Sequence, residues 1–205
     1  MLTVWGRTKS SNVQKVMWTI AELGLAHERI DAGREFGLVN TREYEALNPN
    51  QRIPTLRDGD FVLWESNVIV RYLAAKFGAG TLWPTDLARR AVADQWMDWQ
   101  QTTLLPDMHT LYWGIARTSA HERDQPKIDA AIHNIKAMWG RLDAHLKGRD
   151  FIVGDTLTMG DIPVGTLCYR YHALGVERAP LDNLERWYER LLERDAFRRH
   201  VMIPL

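Results

Sequence analysis

The stretch from residue 51 to residue 67 constrains the fold more than any other. It holds Gln51-Arg52-Ile53-Pro54-Thr55-Leu56 and, a few residues on, Trp64-Glu65-Ser66-Asn67. A proline has no N–H to give a ladder, so Pro54 suits the first residue of a strand or a tight turn. X-Pro bonds are also the common cis peptides. A cis bond here would turn the N–H and C=O of Ile53 outward, free to pair with an extended peptide. Asp58-Gly59, between apolar runs at 53–57 and 61–64, is a hairpin signal. Glu65 and Ser66 then open a helix, whose first N–H groups have no partners within it. A carboxylate, a hydroxyl and unpaired amides beside one strand edge suit a small peptide with a charged amino end and a free carboxylate.

Around this stretch the elements fall in a definite order. Residues 2–5 read as a short buried strand. Val13, Val16, Met17, Ile20 and Leu23 then recur at helical spacing, with Gly24 as a C-cap. Residues 27–31 read as a second strand, 32–40 as loop and 41–47 as a short helix. Residues 66–77 are helical, with Val68, Ile69, Tyr72, Leu73 and Phe77 apolar. The order is β-α-β, an irregular segment, then β-β-α. Beyond Gly78-Ala79-Gly80 no strand pattern remains. Helical patterns run over 87–116, 127–146, 159–174 and 181–192, and Pro106 is expected to kink the first. The chain therefore divides into an α/β domain (1–78), a linker (79–87) and an all-helical domain (88–205).

Composition narrows the function. Lys+Arg and Asp+Glu are balanced at 26 each. A nucleic-acid binder would normally carry a basic excess, so that class is disfavoured, and the balance permits self-association. The one cysteine, Cys168, excludes an intramolecular disulfide and a cysteine metal site, which fits a reducing, cytoplasmic setting. Seven histidines show no metal spacing, and no metal is expected. There is no signal-peptide pattern and no apolar run of about 20 residues, so no membrane span is expected. The nine tryptophans read chiefly as core and interface packing.

The element order, Ile53-Pro54, Glu65-Ser66, the helical second half and Thr158-Met159-Gly160-Asp161 after Gly154-Asp155 together resemble a cytosolic glutathione S-transferase, over essentially the whole chain. The resemblance implies a thioredoxin-like N-terminal domain, an all-α C-terminal domain and a homodimer. It also implies glutathione bound in the first domain, as co-substrate for attack on a small hydrophobic electrophile. Loop 6–13 sits where the family touches the glutathione sulfur. Ser10 falls where theta-like members have serine, beta-class members cysteine and nu-class members threonine. Asn12 falls where nu-class members have a working asparagine. Ser10, Ser11 and Asn12 are thus the catalytic candidates. No tyrosine or cysteine lies in this loop, which argues against a tyrosine mechanism or thiol chemistry by the protein.

The resemblance assigns Glu65 to the γ-glutamyl ammonium, Ser66 to its carboxylate, Ile53 and Pro54 to the cysteinyl unit and Arg52 to the glycyl carboxylate. It also puts His109, Tyr112 and Trp113, at i, i+3, i+4 on one helix, in the wall of the second-substrate site. Each residue has a plainer role open to it. Ser10, Ser11 and Asn12 are good N-caps. Ser66 can cap its helix, Glu65 and Arg52 can be solvated charges, and the aromatic trio can be packing. Thr158 and Asp161 have capping-box spacing and are read as structural. Gly160 between them is expected to weaken the helix start. Cys168 is expected to be buried and inert. Peroxidase or disulfide-reductase chemistry on the same thiolate, and a non-catalytic ligand-binding member of the fold, remain as alternatives.

Overall fold

The computed structural model describes residues 1–205. It opens with β1 (Leu2–Trp5), α1 (Ser11–Glu22) and β2 (His27–Ile30). It continues through α2 (Arg42–Leu47) to β3 (Thr55–Asp58), β4 (Phe61–Trp64) and α3 (Ser66–Phe77). The four strands form one sheet in the order β2-β1-β3-β4. β1 and β2 are parallel, with Leu2 opposite His27, and α1 supplies the crossover that a parallel pair requires. β1–β3 and β3–β4 are antiparallel, with Leu2 opposite Asp58 and Asp58 opposite Phe61.

Side chains alternate along a strand. Leu2 and Val4 therefore share one face of the sheet with Val13, Val16 and Ile20 of α1 and Ile69 and Leu73 of α3. Trp5 turns to the other face, where it meets Ala32 and Tyr44. Gly6 ends β1 at φ 154, and a Cβ there would lie 2.4 Å from Val13 Cγ2. Only glycine lets the loop after β1 run this close to the start of α1.

The helical unit contains α4 (Leu87–Trp99), α5 (Leu105–Ala116), α6 (Gln125–Leu146), α7 (Asp161–Ala173) and α8 (Asp182–Leu192). Asp86 caps α4 by accepting from the Arg89 N–H at 2.8 Å, and Asp124 caps α6 by accepting from the Lys127 N–H at 3.1 Å. The continuous pattern over 87–116 does not break as a proline kink. A π turn, Gln100–Leu104, separates α4 from α5 and leaves Pro106 in the first turn of α5.

Asp161 holds the centre of this unit. Its buried carboxylate accepts from the Ile152 N–H (2.9 Å), the Thr158 N–H (2.9 Å) and hydroxyl (3.1 Å), and the Trp187 indole N–H (2.9 Å). Burial pushes its pKa up, while the four donors favour the anion. The Thr158 N–H bond is one half of the expected capping box. Gly160 does more than weaken a helix start: a Cβ there would lie 3.0 Å from Ala93 Cα, so the glycine lets α4 pack close.

The last helix, α9 (Asp195–His200), belongs with the α/β elements. Its Phe197 is fully buried and meets Trp18 of α1 edge-on, ring centroids 4.8 Å apart. The two compact units are Met1–Thr85 with Asp195–Pro204, and Asp86–Arg194 with Leu205. The sequence division at 79–87 lies near the first join, but it had placed 195–204 in the helical part.

Candidate active site

Three segments of the α/β unit build a cleft of about 300 Å³: the head of α1, the loop from α2 to β3, and the turn from β4 into α3. It is lined by Asn12, Asn48, Asn50, Arg52, Ile53, Pro54, Trp64, Glu65 and Ser66. The Ile53–Pro54 bond is cis. The loop ahead of it is pinned from beneath. The Arg52 carbonyl accepts from Tyr44 Oη and Asn48 Nδ2, each at 2.8 Å. Asn48 Nδ2 also reaches Thr55 Oγ1 at 3.1 Å, and Asn48 Oδ1 accepts from the Asn50 N–H at 3.0 Å. Asn48 and Asn50 were not singled out in the sequence, and Trp64 entered only as the residue before Glu65. The Asn48-Pro49-Asn50 turn signal was legible, but its bonds to Arg52 and Thr55 depend on the folded loop.

Glu65 stands between β4 and α3 at φ 69, ψ 109, outside the region that non-glycine residues favour. Such a conformation costs of order 1–3 kcal/mol and concentrates at functional sites. Its side chain is exposed and does not cap α3, which leaves the carboxylate facing solvent at the cleft. The helix begins at Ser66, so its first-turn amides and positive dipole end stand at the cleft beside Ser66 and Glu65.

The Ser66 hydroxyl is the hub of the site. It donates to Asn12 Oδ1 at 3.3 Å, joining the turn before α3 to the head of α1. Behind it lies a residue the sequence reading passed over. Lys15 is 1% exposed, and its Nζ donates to Ser66 Oγ at 3.3 Å and to Asn67 Oδ1 at 3.1 Å. Burial pulls the ammonium down to about 7, with Glu65 opposing the shift.

Of the catalytic candidates, only Asn12 lines the cleft. Ser10 immediately precedes α1; its carbonyl accepts from the Gln14 N–H at 2.8 Å and its own N–H donates to the Arg7 carbonyl at 3.2 Å. Its hydroxyl makes no cap bond, so the plain capping role expected of it is not taken up. Ser11 is the first residue of α1.

In the helical unit, the predicted aromatic trio divides. His109 and Trp113 are exposed and pair with ring centroids 5.7 Å apart; Trp113 is 41% exposed. Tyr112 is 8% exposed, its hydroxyl accepts from Arg117 Nε at 3.0 Å, and the Arg170 guanidinium lies 4.7 Å from its ring centroid. Tyr112 is thus held inside the unit. Cys168 is buried and its thiol is pushed well up by desolvation, which suits an inert packing role. No group of three or more His, Cys, Asp or Glu side chains is arranged to hold a metal ion, and no helix is long and apolar enough to cross a membrane.

A thioredoxin-like α/β unit with a polar peptide-sized cleft, joined to an all-helical unit, defines a class of glutathione-binding transferases. Comparisons with known proteins agree. Residues 1–75 match the family model described as Glutathione S-transferase, N-terminal domain, and residues 125–190 match Glutathione S-transferase, C-terminal domain. The chain is 45% identical over 207 residues to glutathione S-transferase GstB of Escherichia coli K12, covering 100% of both. It is 32% identical over 147 residues to glutathione S-transferase D7 of Drosophila melanogaster, covering 71% of this chain and 63% of that one. It also superposes on the glutathione-bound crystal structure of a theta class glutathione S-transferase from Xanthomonas axonopodis pv. citri. That match has a TM-score of 0.95 and 44% identity, and covers 100% of this chain and 98% of the other. The chain belongs to the glutathione S-transferase family, and its activity is glutathione transfer.

Proposed function

We propose that glutathione lies in the cleft with its γ-glutamyl ammonium at Glu65 and its γ-glutamyl carboxylate at Ser66 and the first amides of α3. The cysteinyl backbone runs beside Ile53 and Pro54, and the glycyl carboxylate reaches toward Arg52. The observation that carries this reading is the convergence of these groups on one cleft of about 300 Å³. It gathers an anion, a hydroxyl, a strand edge and a guanidinium, each complementary to one part of the peptide.

The Ser10 hydroxyl, uncommitted at the start of α1, donates to the sulfur and favours the thiolate. A free thiol has a pKa of about 8.5, and only the thiolate is a strong nucleophile. Lowering it by about two units takes roughly 2.7 kcal/mol. One charge-assisted hydrogen bond at the positive end of a helix is of that order. Asn12, already bonded to Ser66, stands as the second polar contact of that loop. The thiolate then attacks an electrophilic carbon: the C–S bond forms and the leaving group departs with its electron pair. The exposed His109–Trp113 pair offers an apolar surface for a hydrophobic electrophile. A homodimer, as is typical of the family, and a cytoplasmic setting complete the assignment.

The test is a pH titration of thiolate absorbance for bound glutathione, in the wild type and in Ser10→Ala. A bound-thiol pKa at least about one unit below free glutathione, lost in the variant while binding persists, is the expected result. An unshifted thiol in the wild type sinks the activation. A shift that survives Ser10→Ala but disappears in Asn12→Ala transfers the role to Asn12.

A further inference from the structure

The cleft residues do not account for Lys15. It does not line the cavity, yet a long cationic side chain fully enclosed in α1 is among the rarest of placements. Its surroundings give it a direction. An ammonium has hydrogens to give and no lone pair to receive one. At 3.3 Å from Nζ, Ser66 Oγ must therefore accept from Lys15. The one hydroxyl hydrogen of Ser66 is then forced outward, and it points to Asn12 Oδ1 at 3.3 Å. Asn67 Oδ1 at 3.1 Å holds the ammonium from the other side.

We propose that Lys15 is a positioning residue for glutathione. Its ammonium acts through Ser66, fixing that serine as a donor toward the cleft and supplying the countercharge behind the γ-glutamyl carboxylate. The proposal rests on the assignment of that carboxylate to Ser66 made above. Two consequences follow from the geometry. When the ligand carboxylate takes the Ser66 hydrogen, Asn12 Oδ1 is released at the head of α1, two residues from Ser10, so filling the γ-glutamyl end changes the loop at the sulfur end. When Lys15 loses its proton, its nitrogen gains a lone pair, Ser66 can turn its hydrogen inward, and the cleft loses its donor.

The charge balance near neutral pH makes this second state accessible. Burial holds the ammonium near 7, and Glu65, at the head of α3, is the charge acting on it. Ser66 and Asn67 on α3 and Asn12 on α1 are neutral. The basic groups on the other elements against α1, Arg199 and His200 of α9 and His27 and Arg29 of β2, line a separate cleft with Gln14 and Met17. An anion placed on Ser66 favours the ammonium, so glutathione binding should draw one proton from the buffer onto the Lys15 amine wherever that amine starts out neutral.

The experiment is calorimetric titration with S-methylglutathione, whose blocked thiol cannot ionise, in buffers of different ionisation enthalpy. We expect uptake of about half a proton per site near pH 7 and almost none near pH 5.5, with affinity falling by up to about tenfold per pH unit above neutrality. Lys15→Met should bind at least about tenfold more weakly and take up no proton. Lys15→Arg, which does not titrate, should keep the affinity with a flat pH profile. Binding by the wild type without pH-linked uptake, or equal uptake in Lys15→Met, overturns the role of Lys15 and leaves the γ-glutamyl assignment standing. Failure of S-methylglutathione to bind overturns both. The wild-type measurement decides the question even if Lys15→Met does not fold.

Discussion

A lysine ammonium enclosed on α1 gives up its hydration, and Ser66 and Asn67 return hydrogen bonds to it. The effect on stability has a definite sign. The folded value is about 7 and the ordinary value 10.5, so between these the unfolded chain holds more protons than the folded one. Stability therefore rises with pH across that window, and the full penalty applies below about 7. Lys15→Met is accordingly expected to be more stable than the wild type near pH 6, by roughly 1–3 kcal/mol, with the gain shrinking toward pH 10. Denaturant unfolding at several pH values measures it, and a variant less stable near pH 6 contradicts it. Selection for a site commonly retains such a residue at a cost in stability. This is also why the sequence did not reveal it. A lysine among Val13, Val16 and Met17 reads as a solvated interruption of the apolar face, because enclosure is decided by α3, a partner some fifty residues away in the chain. Glu65, Ser66 and Pro54 were legible because their chemistry is local, while the Ser66–Asn12 bond was not, since it spans the same distance as the lysine contact.

At the scale of elements, Asp161 shows how one carboxylate can organise a helical unit. Its four donors come from the segment before α7, from Thr158 and from α8. Removing the carboxylate leaves all of them without that acceptor. Asp161→Ala is expected to destabilise the protein by roughly 3–5 kcal/mol, the range for breaking a buried, hydrogen-bonded charge. A urea midpoint within experimental error of the wild type would refute this account. The Thr158-to-Asp161 spacing announced a helix start, but not the bonds to Ile152 and Trp187, which tertiary packing creates. The π turn before Pro106 was hidden for a related reason. Helical periodicity survives a single wide turn, so a pattern over 87–116 looks continuous whether the helix kinks or rewinds.

Across the whole molecule, the order of elements along the chain and the transition to helices were readable from period changes and turn signals, and α9 was not. A six-residue helix with one fully buried side chain, Phe197, has neither the length nor the apolar stripe to register as an element. Its stability comes from packing on α1. Phe197→Ala is expected to cost about 3–5 kcal/mol and to speed amide exchange in α1 more than in α6. Uniform exchange across both helices would show instead that α9 contributes nothing specific to the α/β unit.

The return of α9 to α1 also sets an order of manufacture. The unit that carries the cleft is built from two stretches, Met1–Thr85 and Asp195–Pro204, with Asp86–Arg194 synthesised between them. Strands, α1 and α3 can assemble early, but Trp18 stays uncovered until residue 197 has emerged. During translation the nascent α/β half therefore carries an open aromatic seam, a place for a chaperone to hold, until the helical stretch between its two parts has been made.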